Sequence, residues 1–254
     1  MGRPSDWSGY LTGFHRDRAG AIEAVLTRSR AGDDNPYRWL ARAVSPSSNL
    51  VVDVASGAGP VARELAQPGR TVVSVDRAHS ELALVGESGV AVQGDALHLP
   101  LASGAADVVT TSMGLAVITP AAQVLAEMAR VLRPGGMVVL LGPSVRPTSA
   151  RDARELALLF AAMRARIRFP GVLERIGLSA VLPAVGLRKV EDARERYQFT
   201  VSGRTDAEMV LNGMYLPNAD PEQIAAGVSH LVRRISRLGP LTLPIPMRRV
   251  IAIK

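Results

Sequence analysis

The segment Leu50-Val-Val-Asp-Val-Ala-Ser-Gly-Ala-Gly-Pro-Val-Ala-Arg-Glu-Leu65 runs from an apolar stretch through a glycine-bearing turn into a helical pattern opened by Pro60. Val51, Val52 and Val54 read as a strand buried on both faces, which is the habit of parallel sheets covered by helices. Gly57 and Gly59 let the backbone turn sharply and approach a ligand closely. Pro60 suits a first helical position, where its missing N–H would be unpaired in any case. A ligand is expected at the carboxyl end of this strand.

Two cofactor classes use such a turn. Gly57-Ala-Gly59-Pro-Val-Ala62 fits the dinucleotide fingerprint, and Asp76 closes the next apolar run, Thr71-Val-Val-Ser-Val75, where a carboxylate can bind two ribose hydroxyls. This pair alone does not separate a nicotinamide dinucleotide from S-adenosylmethionine. Three further features do: Asp53 inside the first strand, the segment Val92-Gln-Gly-Asp95-Ala96-Leu-His-Leu-Pro100, and the segment Ala129-Arg-Val-Leu-Arg-Pro-Gly-Gly136-Met-Val-Val-Leu-Leu141.

Together these segments, from about Tyr37 to Gly142, resemble class I S-adenosylmethionine-dependent methyltransferases. The first motif of that family, D/E-x-G-x-G-x-G, falls on Asp53, Ala55, Gly57 and Gly59, so Ala55 departs from it; its small methyl is expected to crowd the pocket slightly. The resemblance implies that Ala55, Ser56, Gly57 and Gly59 lie along the methionine part of the cofactor. It implies that Asp76 binds the ribose and that Asp95, with the Ala96 N–H beside it, meets the adenine edge. Arg77 and Ser112 complete the predicted cofactor-binding set. A diol and an adenine amino group both need fixed acceptors, and the ends of adjacent strands can supply them. Pro134-Gly135-Gly136 reads as a turn that ends a helix and reverses the chain.

The pattern of elements predicts an α/β fold, a doubly wound and mostly parallel seven-stranded sheet of the Rossmann-like class I methyltransferase type, within one domain of 254 residues. Residues 1–48 form a helical cap over the cofactor mouth, with helices at Ala21–Leu26 and Pro36–Val44. Residues 49–142 form the cofactor-binding core, with strands near 50–54, 71–75, 90–93, 107–111 and 137–141. Residues 143–254 form a helical insertion and the edge of the sheet. Here the reading is a 143–150 loop, helices at Asp152–Arg168, Val172–Ala184, Asp206–Met214 and Pro221–Leu238, and strands within Arg188–Val201 and around Arg248–Ile253. The last two strands are expected to make an antiparallel edge.

No run approaches the roughly 20 apolar residues of a membrane span, and no basic-then-apolar leader opens the chain, so a cytoplasmic protein without a membrane partner is expected. The absence of Cys excludes a thiolate nucleophile and Cys-based zinc sites, and four scattered His give no metal-ligand spacing. Charge divides unevenly: 12 Arg against 13 carboxylates up to residue 142, and 18 Lys plus Arg against 10 carboxylates after it. Arg164, Arg166, Arg168, Arg194, Arg196, Arg233, Arg234 and Arg237 could draw an anion or a phosphate backbone. With only two Lys in the chain, they also fit a plain bias toward Arg at a solvated surface.

The expected reaction is transfer of a methyl group to an O, N or C nucleophile of a small-molecule acceptor by in-line displacement. The acceptor would be enclosed by Met113, Phe160, Met163, Phe169, Met209, Met214 and Tyr215, residues that equally suit a core. An RNA acceptor bound through the basic half is the alternative. Against it, no Asn/Asp-Pro-Pro-aromatic motif follows the fourth strand, and aromatic residues are 4% of the chain. Asn35-Pro36-Tyr37 precedes the first motif and reads as a turn opening a helix. A noncatalytic member of the fold, with Ala55 as its mark, and a dehydrogenase are the remaining readings. Catalytic residues are not legible. His15 is the candidate base, ahead of His98 and His230, while Glu127 reads as a surface residue. The acceptor and the oligomeric state are not written in any pattern.

Overall fold

Three helices precede the sheet in the computed structural model: α1 (Trp7–Asp17), α2 (Ala21–Arg28) and α3 (Pro36–Ala41). The core follows as β1 (Leu50–Val54), α4 (Pro60–Leu65), β2 (Thr71–Asp76), α5 (His79–Leu82), β3 (Val90–Gln93), β4 (Ala106–Ser112), α6 (Gly114–Val117), α7 (Ala121–Val131) and β5 (Leu132–Pro143). The remainder is α8 (Ala150–Met163), α9 (Leu178–Ala184), β6 (Arg188–Val201), α10 (Arg204–Asn212), α11 (Pro221–Leu238) and β7 (Leu241–Ile253). The structure describes residues 7–146, 148–171, 173 and 175–254. Parts of the predicted cap, of the 143–150 loop and of the helix start near 172 lie outside them. No helix among the described residues is long and apolar enough to cross a membrane.

The strands form one seven-stranded sheet in the order β3-β2-β1-β4-β5-β7-β6. β1 to β5 pair in parallel, and β7 is antiparallel to both of its neighbours. This is the predicted doubly wound architecture. The last two strands make the expected antiparallel edge: β7 reverses and pairs antiparallel with β6, which itself runs in the same sense as the core strands.

Alternation along the strands sends side chains to two separately covered faces. Val52, Val54, Val109, Val138 and Leu140 pack with Leu125 and Met128 of α7 and Leu178 and Leu182 of α9. Val51, Val108, Val139 and Leu141 pack with Phe14, Ile22, Leu26, Tyr37, Leu40, Val61 and Leu65 from α1 to α4. A third cluster joins α8, α10 and α11 through Leu159, Met163, Val210, Leu211, Val228 and Leu231. Met163 and Met214 are buried there, and Met209 packs at its edge. They are core of the insertion rather than the predicted acceptor wall.

Several boundaries differ from expectation: α9 starts at Leu178 rather than near 172, α3 ends at Ala41 rather than Val44, and three further differences have a local cause. The 152–168 helix stops at Met163, because Arg164 turns to the left-handed conformation (φ 51°) and its N–H caps on the Ala161 carbonyl; Pro170 ahead disfavours helix at Phe169. β7 starts at Leu241 rather than near 248. Pro244 and Pro246 sit opposite Gln198 and Arg196 of β6, past the Pro143–Met247 pair, where Ser144 N–H to the Pro246 carbonyl is the last bond toward β5, so their missing N–H groups face the side where that ladder ends. The Pro134-Gly135-Gly136 turn is contained in β5 as an irregularity between the Ala106–Leu132 and Val108–Met137 pairs, with Gly135 at φ 73°.

One part-buried ion pair ties α8 to the sheet, and a second joins β6 to β7. Asp152, 3% exposed, closes the α8 capping box with Ser149 and takes Arg196 through both oxygens at 2.7 and 2.5 Å. Asp192 takes Arg248 at 2.8 and 2.7 Å. The arginine hydrogen bonds outweigh burial and hold both carboxyls well below the usual range. A depressed folded pKa contributes stability above the unfolded value of about 3.9, and that stability is lost as pH falls below it. Arg196→Met should therefore cost about 2–3 kcal/mol at pH 7, from an uncompensated Asp152. The gap between variant and parent in urea midpoints should shrink as pH falls from about 4; a constant gap would contradict the assignment.

Candidate active site

The carboxyl ends of β1, β2 and β4 meet under α1 and α2. Gly57 and Gly59 adopt φ of 53° and 73°, the left-handed conformation that favours glycine, and Pro60 then opens α4 as read from the sequence. Asp76 ends β2 and locks this turn: Gly57 N–H donates to its Oδ2 at 2.9 Å and Ala78 N–H to its Oδ1 at 2.8 Å. Each carboxylate oxygen keeps accepting capacity beyond those bonds.

Ala55 also sits at positive φ, 54°. Its departure from the motif is therefore chiefly conformational rather than the expected crowding. Gly114 provides the room, since a Cβ there would lie 3.0 Å from the Ala55 methyl. The left-handed region costs a residue with a Cβ about 1–2 kcal/mol, against about 0.5–1 kcal/mol for the extra unfolded-state freedom of glycine. Ala55→Gly should raise stability by up to about 1 kcal/mol by this balance. A fall in thermal midpoint would show the Ala55–Gly114 contact to be worth more than the strain.

Asp53, 1% exposed, lies in β1 on the face under the cap and accepts from Thr110 Oγ1 at 2.7 Å. Burial raises it to about 7, the Thr110 hydrogen bond opposes, and the charge of Asp76 adds to the rise. Asp53 Oδ2, Ser56 Oγ and Ser112 Oγ are buried without a partner among the described residues. Orphan polar atoms at the strand ends are what a polar ligand would satisfy. Asp95 Oδ1 accepts from Leu97 N at 2.9 Å, which shapes its loop, and Ala96 is buried beside it. Arg77 is exposed.

The cap brings His15 and Tyr215, both named from the sequence, together with Glu81 and Glu23, which sequence patterns did not single out. His15 of α1 bonds through Nδ1 to Glu81 Oε1 at 2.7 Å and through Nε2 to Tyr215 Oη at 3.0 Å. Glu81, 1% exposed on α5, also accepts from Gly20 N–H at 3.0 Å. Burial pulls the His15 pKa down, but the Glu81 hydrogen bond and nearby carboxylates more than offset this, so it is raised. Tyr215 is ringed by Tyr10, Phe14 and Phe169, with centroids 6.3, 4.8 and 5.8 Å away. Burial pushes its phenol well above 10. Glu23 of α2 lies over the turn, with Oε1 3.5 Å from Ala58 N. The periodicity of Ala21–Leu26 marks Ile22, Val25 and Leu26 as buried, but a carboxylate in the same helix gives no such signal.

Other predicted residues are placed elsewhere. His98 is exposed, with its ring 3.4 Å from Gln123 Nε2, and His230 lies on α11. Glu127 is not free surface, because it accepts from Leu99 N and from Arg130. Arg194 pairs with Asp192, Arg196 with Asp152, and Arg234 with Glu155, so much of the basic half is neutralised internally. Asn35 caps α3 by accepting from Arg38 N, as read. A cleft of about 490 Å³ lined by Asp34, Trp39, Arg42 and Tyr197, and an adjoining one of about 520 Å³, contain none of the predicted site residues. The strand ends, where the orphan atoms lie, are the chemically equipped place.

Residues 52–140 match the family model described as a methyltransferase domain. That stretch, from β1 into β5, is similar to a methyltransferase domain. The chain is 39% identical over 113 residues to a demethylmenaquinone methyltransferase of Beutenbergia cavernae, covering 41% of this chain and 44% of that one. It is 28% identical over 223 residues to a ubiquinone/menaquinone biosynthesis C-methyltransferase of Dinoroseobacter shibae, covering 76% and 79%. Among solved structures, a putative methyltransferase from Bacillus halodurans superposes with a TM-score of 0.60 at 19% identity, over 88% of this chain and 99% of that one, a likeness of fold. The chain spans about half the length of the first curated relatives it matches. The match runs from β1 into β5 and leaves α1, α2 and residues 143–254 outside it.

Proposed function

We propose that the protein binds S-adenosylmethionine at the carboxyl ends of β1 and β2 and transfers its methyl group to a small, flat, largely apolar acceptor. The observation that carries this reading is the Asp76 carboxylate clamping the Gly57 turn, with unpartnered Asp53, Ser56 and Ser112 atoms around it. These residues fit the cofactor: Asp76 would accept from the ribose diol, Ala55 to Gly59 would flank the methionine chain, and Asp95 with Ala96 would meet the adenine. Ser112, at the end of β4, would line the same mouth, and Arg77 would stand at its rim.

When bound, the cofactor supplies a methyl group on a cationic sulfur, open to attack opposite the C–S bond. The protein then has little covalent work to do, and positioning of the acceptor supplies much of the effect. Tyr10, Phe14, Phe169 and Tyr215 offer ring surfaces for a planar acceptor. The relatives named as quinone-pathway methyltransferases make an aromatic ring carbon or oxygen the favoured nucleophile. His15, oriented by Glu81 and joined to Tyr215, stands ready to take the proton that the acceptor gives up. Arg194, Arg196 and Arg234, three of the eight arginines that could draw a phosphate backbone, are paired with carboxylates, which weakens RNA as the acceptor.

Calorimetric titration with S-adenosylhomocysteine, with NADH in parallel, tests the reading. Micromolar binding of the first and none of the second is expected, followed by methylation of quinol-like acceptors before RNA. Binding of NADH alone would make the site a dinucleotide site. Binding of neither would make the chain a noncatalytic member of the fold.

A further inference from the structure

Four carboxylates, Asp53, Asp76, Glu81 and Glu23, converge on the turn after β1, and three of them have close partners. Asp53 has Thr110, Asp76 has two backbone N–H groups, and Glu81 has His15 and Gly20 N–H. Among the described residues Glu23 has the 3.5 Å contact to Ala58 N and a bond from its own backbone N–H, and its Oε2 is buried without a partner. A buried carboxylate is costly unless it is paired. Its Oε1 lies so close over Gly57 that a Cβ on that glycine would stand 2.0 Å from it. Glu23 thus aims directly at the middle of the cofactor turn.

The geometry points to Glu23 as the counter-carboxylate for the cationic sulfur of the methyl donor, favouring the charged donor over the neutral product. This rests on the cofactor placement proposed above. In that placement Asp76 holds the ribose, and the backbone from Ala55 onward flanks the methionine chain. The sulfur is the atom joining the two. Glu23 lies over Gly57, whose N–H donates to Asp76, and therefore faces that junction. During transfer the acceptor's electron pair forms the new bond to the methyl carbon, and the C–S pair stays on sulfur. The positive charge disappears, Glu23 loses its partner, and product affinity falls relative to donor.

Proton uptake and release should report this. Burial, then the Glu81 charge, raise Glu23 to about 7, so the empty site holds it partly protonated at neutral pH. The titratable and charged groups around it are His15 of α1, the neutral phenols Tyr37 of α3 and Tyr215 beyond α10, Asp53 of β1, Asp76 of β2 and Glu81 of α5, with Arg63 of α4 beside Tyr37. A cationic sulfur beside Glu23 would ionise it and expel about half a proton at pH 7, whereas an uncharged sulfur would not.

The test is calorimetry on the full chain at pH 7 with S-adenosylmethionine and with S-adenosylhomocysteine, each in two buffers of different ionisation heat. For the parent protein, proton release with the donor and almost none with the product is expected. Glu23→Gln should raise the donor Kd about 10-fold, move the product Kd less than about 3-fold, and abolish the release; retained product binding shows that the variant is folded. Release that persists in Glu23→Gln would belong to another group of the site, His15 or Asp53, and overturn the proposal. Equal weakening of both ligands, no change, or tighter binding, as for a carboxylate that merely fills ligand space, would also overturn it. The proton counts on the parent protein decide the matter even if the variant fails to fold, since equal counts for both ligands contradict it. A parent protein that binds neither ligand refutes the methyltransferase reading instead.

Discussion

Asp76→Ala is expected to raise the Kd for S-adenosylhomocysteine about 100-fold while leaving the protein folded. Two effects add. The substitution removes the acceptor offered to the ribose diol, and hydrogen bonds to a charged group contribute about 1.5–3 kcal/mol. It also frees Gly57 N–H and Ala78 N–H, which Asp76 holds at 2.9 and 2.8 Å, so the turn is no longer preset for the ligand. A loss near 3 kcal/mol corresponds to the stated factor at about 1.4 kcal/mol per tenfold. Asp76 closes a strand on the half-buried rim, so the unliganded melting temperature should move by only a few degrees. Calorimetry together with thermal unfolding separates the two quantities. An unchanged Kd would remove Asp76 from the cofactor site, and with it the frame on which Ala55, Ser56 and Gly59 are placed.

Gly213→Val should be among the more damaging single substitutions outside the sheet. Gly213 caps α10 against α2, and a Cβ there would meet Val25 Cγ2 at 2.6 Å and the Ala21 carbonyl oxygen at 2.8 Å. The second contact is to backbone, so no rotamer change relieves it, and α2 must move as a unit. Overpacking of this kind costs about 1–3 kcal/mol, which for a chain of this size lowers the melting temperature by roughly 3–10 °C. α2 carries Glu23 and ends the link to α1 that holds His15, so the cap should loosen over the cofactor turn. The rise in melting temperature given by S-adenosylmethionine should shrink in the variant, because β1 and β2 remain while their cover shifts. A variant as stable as its parent would show that α2 slides freely over Gly213.

The cofactor half was legible because its constraints are local. The valines of β1, the turn that needs Gly57 and Gly59, and Asp76 at the end of the next strand occupy fixed offsets along one chain segment. A parallel βα unit can be built in few other ways. The conformation at Ala55 was not legible, since a methyl group is compatible with either sign of φ until Gly114 is seen to make room for it. The prolines of β7 hid its first half, because their tolerance depends on β5 having already ended.

The sequence by itself determined the sheet, the class of cofactor turn and the carboxylate that clamps it, through periodicity and through conformations that only certain residues adopt. Tertiary structure alone decided which side chains of the cap meet over that turn and how they pair. Glu23, His15, Glu81 and Tyr215 come from segments as much as 200 residues apart, and they meet because α1 and α2 fold back onto the face of β1 that carries Asp53. Their partnerships depend on burial and on which charges are already paired. Neither is a property of spacing along a chain.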